Sequence, residues 1–212
     1  MNASNLDARL VVTGFGPFGD HEYNPSWDAA RALGESLEVD AHLLSVTFNS
    51  ASQFAVAHLR ANSPKPMLFV HLGLAARREL LCFERRAANE RDDTPDKLEQ
   101  AHCSRLPSRQ PLHSENRQHR FSRLDFDELV QRYETGEKPV ELPPARLSED
   151  CGNFVCNALL YHSLRACEKA RAHGQFADAL FIHIPPMDSA TAAHLGEYLA
   201  RQVFSPLPRI RS

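Results

Sequence analysis

Along this chain, short continuous apolar runs alternate with stretches whose apolar residues recur at helical spacing. The runs at 9–13, 41–48, 67–72 and 179–184 are bounded by turn-forming residues, and continuous runs of that length suit strands buried on both faces of a parallel sheet. A helix from Pro25 to about Leu37 places Trp27, Ala30, Leu33 and Leu37 on one side, with Asn24 as N-cap and Pro25 in the first turn. A second, over 50–61, turns Phe54, Ala57 and His58 to its apolar side. Farther on, 80–87 reads as a strand or hairpin arm. The residues Leu124, Phe126, Leu129, Val130 and Tyr133 mark a short helix ending near Gly136, and a brief strand lies around 145–147. A long helix follows Gly152 and stops at His173-Gly174. The last helix, capped by Ser189, buries Ala193, Leu195, Leu199, Val203 and Phe204. Strands alternating with helices in this way predict an α/β fold, a mostly parallel sheet with helices on either side.

The 212 residues suffice for one domain with a sizeable core. A net charge of −3 with interspersed signs argues against nucleic acid or an anionic membrane as partner. No apolar run approaches the roughly 18 residues of a membrane span, and the N-terminus lacks a signal-peptide core. Five cysteines without a C-x-x-C pair fit neither a disulfide framework nor a thiolate zinc site, so the expected setting is the cytosol with reduced thiols. From Glu90 to His119 the sequence is polar and without period, and reads as a surface excursion. Its histidines, His102, His113 and His119, stand beside Cys103 at spacings that match no zinc pattern. The tail over 205–212 reads as loose.

The chemistry-bearing stretch is Ser148 to Asn157, a polar turn that ends at Gly152 and runs into the long helix. Cys156 falls in the first helical turn, where free N–H groups and the macrodipole favour an anion, and such placement predicts a thiol that ionises near neutrality. A buried, unreactive cysteine is the commoner role for one such residue. His183 lies near the end of a predicted strand, so both residues are expected at one edge of the sheet. There a histidine serves a thiol as base, and a carboxylate such as Glu84 can hold the ring's other nitrogen. The loop Gly14-Phe15-Gly16-Pro17-Phe18-Gly19 spells G-x-G-x-x-G. Pro17 interrupts it and the helix starts only at Pro25, so it does not meet the geometry of a dinucleotide fingerprint.

Taken in order, four pieces resemble the pyroglutamyl peptidase I family of cysteine peptidases. They are residues 13–19 with Asn24-Pro25-Ser26-Trp27; Glu84-Arg85 with Ala87 and Asn89; Gly152-Asn153-Phe154-Val155-Cys156-Asn157; and Phe181-Ile182-His183-Ile184-Pro185. The resemblance implies an open three-layer α/β/α sandwich and a catalytic trio of Cys156, His183 and Glu84. It also implies an aromatic slot for the pyrrolidone ring, made by Phe15, Phe18 and Phe154, with Leu74 and Asn24 beside the substrate. The implied partner is a small peptide with N-terminal pyroglutamate, the implied assembly a dimer or tetramer, and neither cofactor nor metal is implied. Two departures bear on specificity. Leu74 stands where the family usually has glutamine. The segment Asp93-Thr94-Pro95-Asp96 replaces the family's Arg-Ile-Pro-Asp, which leaves Arg91 as a cation two positions earlier.

Overall fold

The computed structural model describes residues 9–61, 66–92, 94, 96 and 110–208. Its elements are β1 (Arg9–Phe15), α1 (Pro25–Ser36), β2 (Ala41–Leu44), α2 (Phe48–Ala61), β3 (Met67–Leu74), β4 (Leu81–Glu84), β5 (Arg86–Ala88) and β6 (His119–Phe121). They continue with α3 (Phe126–Thr135), β7 (Ala145–Ser148), α4 (Val155–Ala172), β8 (Ala177–Ile184) and α5 (Ser189–Gln202). Six strands make one sheet in the order β2-β1-β3-β8-β4-β7. The first four are mutually parallel. β4 runs antiparallel to β8 and carries β7 parallel to itself.

Side-chain alternation sorts every central strand onto two faces. Leu10 and Val12, Leu68, Val70 and Leu72, Leu81 and Phe83, and Leu180, Ile182 and Ile184 pack under α1, α3 and α5. The opposite positions, Val11 and Phe15, Met67 and Phe69, and Ala179 and Phe181, pack under α2 and α4. The result is the expected three-layer sandwich with a mostly parallel sheet. Each of the large apolar side chains that is fully enclosed contributes on the order of 1.5–3 kcal/mol.

The second face also takes the buried polar residues. His71 of β3 is enclosed, its Nδ1 2.9 Å from Thr13 Oγ1 on β1 and its Nε2 2.9 Å from Ser163 Oγ on α4. Burial lowers its pKa to about 3, so the ring is a neutral rivet joining two strands to a helix.

Several boundaries differ from the sequence pattern. β2 stops at Leu44 and α2 begins at Phe48, because Thr47 Oγ1 accepts the Ser50 N–H and Asp96 Oδ2 accepts the Phe48 N–H at 2.8 Å. β3 continues through Gly73 to Leu74. The final helix is capped by Asp188, which accepts from Thr191 N, while Ser189 Oγ donates to Asp28. β5 and β6 form a separate two-stranded ribbon that the apolar pattern does not reveal. After α5 the chain is held as far as Pro208: Arg132 donates to the carbonyls of Val203 and Pro206, and Leu207 packs on the core. His102, Cys103, Asp93 and residues 209–212 lie outside the described range.

α1 and α5 touch almost backbone to backbone. A Cβ on Gly196 would stand 2.2 Å from the Ala29 carbonyl oxygen and 2.8 Å from Leu33 N. Gly196→Ala is therefore expected to lower stability by about 1–3 kcal/mol through forced separation of the two helices, measured as a lower denaturation midpoint. An unchanged midpoint would show that this contact is not tight.

Candidate active site

The carboxyl ends of β1, β3 and β8 open into a cavity of about 370 Å3. Of the residues singled out by sequence, Cys156, His183, Phe15, Phe18, Phe154, Leu74 and Asn24 all line it. Glu84 lies behind its wall, fully enclosed.

The sheet's alternation brings the acid and the histidine together. In the antiparallel β4–β8 pair Cys82 faces His183 and Glu84 faces Phe181, so Glu84 stands diagonal to His183 on the same face. A side chain as long as glutamate spans that diagonal, and Glu84 Oε1 lies 3.0 Å from His183 Nδ1. The neighbouring Phe181 ring, 4.7 Å from the imidazole between centroids, fills the space below.

The sulfur arrives from the other layer. Gly73 of β3 is the direct partner of His183 in the parallel ladder. A Cβ there would meet Cys156 Sγ at 3.1 Å and the Phe181 ring at 2.6 Å. The thiol thus abuts the space that a side chain at position 73 would need, on the cavity that His183 also lines. Gly152, at φ 72, permits the tight turn that aims the start of α4 at this point. Phe154, the N-cap of α4, makes no side-chain hydrogen bond to the first N–H groups of the helix, and it lines the cavity with Cys156.

The residue after the cysteine is a clamp. Buried Asn157 accepts the Ala88 N–H at 2.9 Å and donates to the carbonyls of Ala88 and Glu90. Asn89 in turn binds His113 and Glu115, fixing the returning end of the excursion. Asn24, expected beside a substrate, is largely occupied: it donates to the Gly16 carbonyl and accepts from Ser26 N and Oγ. Arg91 does not line the cavity. Its guanidinium lies 3.7 Å over the Phe48 ring, which meets Phe154 edge-on at 5.6 Å.

Electrostatics corrects one expectation. The helix start does not make Cys156 acidic. Burial, followed by the nearby Glu84 charge, pushes its thiol up to about 12, against smaller lowering effects of Arg78 and the Cys156 N–H. Desolvation and Glu84 outweigh Arg78 and the Cys156 N–H, so the resting thiol carries its proton and needs a base to lose it. Nothing in the periodicity marks Arg78, whose guanidinium pairs with Glu84 Oε1 and with the Asp150 carbonyl. Among the described residues, no His, Cys, Asp and Glu gather into a group able to hold a metal ion.

The ultraviolet absorbance of thiolate tests this. The difference between the protein and Cys156→Ser is expected to be absent at neutral pH and to appear only under strongly alkaline conditions. A thiolate signal at neutrality would mean that the helix start prevails over burial.

Known proteins resemble this chain over most of its length. The family model described as pyroglutamyl peptidase matches residues 8–199. Human pyroglutamyl-peptidase 1 is 28% identical over 183 residues, covering 84% of this chain and 79% of the human protein. Pyrrolidone-carboxylate peptidase of Yersinia pestis is 29% identical over 196 residues, covering 89% and 83% respectively. Pyroglutamyl peptidase I of Bacillus amyloliquefaciens superposes with a TM-score of 0.75 at 21% identity, over 94% of this chain and 98% of that one, a likeness of fold. Pyrrolidone carboxyl peptidase of Thermus thermophilus gives 0.69 at 26% identity, over 92% and 99%.

Proposed function

The chain belongs to the pyroglutamyl peptidase family of cysteine-type hydrolases, and from this we propose that it releases N-terminal pyroglutamate from peptides with Cys156, His183 and Glu84 as its catalytic groups. The observation that carries the assignment of roles is the seat of the Cys156 sulfur over Gly73, directly across the ladder from His183.

The reaction follows from these positions. His183 takes the proton of the Cys156 thiol as the sulfur attacks the carbonyl joining the pyrrolidone ring to the next residue. The tetrahedral oxygen is held by the free N–H groups at the start of α4. Protonated His183 gives its proton to the leaving amine, and a pyroglutamyl thioester remains on Cys156. A water molecule, deprotonated by the same ring, attacks the thioester carbonyl. Pyroglutamate leaves and the thiol regains its proton. Glu84 keeps the imidazole in the required orientation and offsets its positive charge while it holds both protons. The uncharged pyrrolidone ring suits the slot between Phe15, Phe18 and Phe154. The four described cysteines are all free thiols, which suits work in a reducing compartment.

One feature favours a second reading, in which the thiol chemistry is kept and the acyl group differs. Leu74 gives the cavity wall an aliphatic group and no hydrogen-bond donor. A lactam that relies on a donor there would bind less tightly by about 1–3 kcal/mol for the unpaired group.

A pyroglutamyl-amide reporter and a panel of other N-acyl amides distinguish the two. Turnover of the reporter is expected, and Cys156→Ala or prior alkylation should abolish it; turnover confined to another amide would favour the second reading. Glu84→Gln should lower kcat by about 100-fold or more with the fold retained, and unchanged kinetics would remove Glu84 from the mechanism. Gly73→Ala, which displaces the sulfur, should cost about 100-fold in kcat. Full activity in that variant would disprove the proposed seat of the thiol.

A further inference from the structure

The mechanism above leaves Arg78 of the cavity wall unused. Arg78, in the turn between β3 and β4, points one arm of its guanidinium at Glu84 and the other at the backbone carbonyl of Asp150. The Glu84 oxygen it meets is the same Oε1 that lies against His183 Nδ1, while Oε2 is buried without a partner. Asp150 belongs to the loop that carries Cys151 and Gly152 to the cavity and leads into the helix of Cys156. One side chain therefore touches both the carboxylate behind the histidine and the loop before the nucleophile.

We propose that Arg78 is a positioning residue of the thiol site, neutralising the enclosed Glu84 carboxylate and tying the 150–152 loop to it. This rests on the peptidase reading and deepens it. A nearby carboxylate with no other counterpart favours the cationic form of an imidazole, and a cationic ring cannot take the thiol proton. The guanidinium at the shared oxygen offsets the charge of the acid, so that Glu84 can orient the imidazole with less pull on a ring proton. Arg78 is also among the groups that draw the Cys156 thiol downward, against burial and Glu84. Both effects favour the step in which the proton passes from sulfur to ring.

The other groups around His183 do not provide this charge. Cys82 of β4 faces the histidine across the ladder and is approached by Arg146 from β7, whose Nε lies 3.5 Å from Cys82 Sγ. The Cys151 thiol is pushed well up by burial, and the Asp150 carboxylate accepts the Gly152 N–H. His21 and Arg77 line the same cavity from its rim. His71 is separated from His183 by the Phe181 ring, which packs against both imidazoles.

The test compares the protein with Arg78→Met and Arg78→Lys. In the substrate-free proteins, the ring titration of His183 is followed by NMR, with the signal assigned by its loss in His183→Asn. Arg78→Met should move the titration up by about one pH unit or more, and the acid limb of kcat/KM should move with it. Arg78→Lys keeps a cation but not the two-armed contact. Its histidine titration should stay close to that of the parent while kcat falls about tenfold, since the loop loses its tie. A purely structural arginine would lower kcat and leave both titrations where they were, and that outcome overturns the proposal. So does a lysine variant whose histidine moves as far as the methionine variant's, or one with parental kcat. If Arg78→Met does not fold, the lysine variant's pair of readings still decides. The NMR reading needs no substrate, so failure of the parent protein to cleave pyroglutamyl amides counts against the peptidase reading and is seen separately.

Discussion

The absence of a side chain at Gly73 is the constraint on which the site depends. β3 lies beside β8 in strict register, and on the face toward α4 the positions filled by histidine on one strand and glycine on its neighbour form a step. The sulfur rests on the low side of that step and the imidazole stands on the high side. Any Cβ at position 73 would press on Phe181 and Cys156 together. Precision comes from the sheet, whose ladder cannot slip by one residue without turning Glu84 and His183 to the opposite face.

That placement has an electrostatic cost. Glu84 has no exposed surface, and it shares the face with two thiols whose ionisation it opposes. A helix N-terminus is often enough to make a cysteine acidic where water reaches it. Here the cysteine is half-buried in the cavity wall, and loss of solvation together with the Glu84 charge outweighs the lowering effects of Arg78 and the Cys156 N–H. The resting cavity consequently holds a protonated thiol and, in the same wall, an imidazole bonded to a carboxylate. On the proposed mechanism reactivity arises by transfer of that proton, and the groups that bias this transfer matter as much as those that carry it.

Much of this was legible in the sequence, for identifiable reasons. Buried parallel strands write continuous apolar runs, so β1, β3 and β8 were recognisable, and Asn24-Pro25 marks the start of α1 plainly. Cys156 and His183 stand out because each interrupts an apolar element at its functional end. Other features left no mark. The reversed direction of β4 is set by pairing with β8, which periodicity does not encode. The β5–β6 ribbon joins three-residue strands separated by the excursion, too short for either to show a period. Asp188 and Ser189 are both good caps, and only the geometry shows that the aspartate takes the Thr191 N–H. The acidity expected of Cys156 failed because burial of a thiol depends on what packs over it. Arg78 was silent because its role lies in two contacts distant in sequence.

The Asn157 clamp ties the ribbon's fate to that of the turn carrying Cys156. Its three hydrogen bonds to residues 88 and 90 form one helical position after Cys156. Peeling β5 away, or drawing on the chain beyond Glu90, must break these bonds and strip a buried amide before any slack develops. Local breathing of this edge and distortion of the reactive turn are thus a single cooperative unit, and backbone amides in both should exchange with solvent at a common rate.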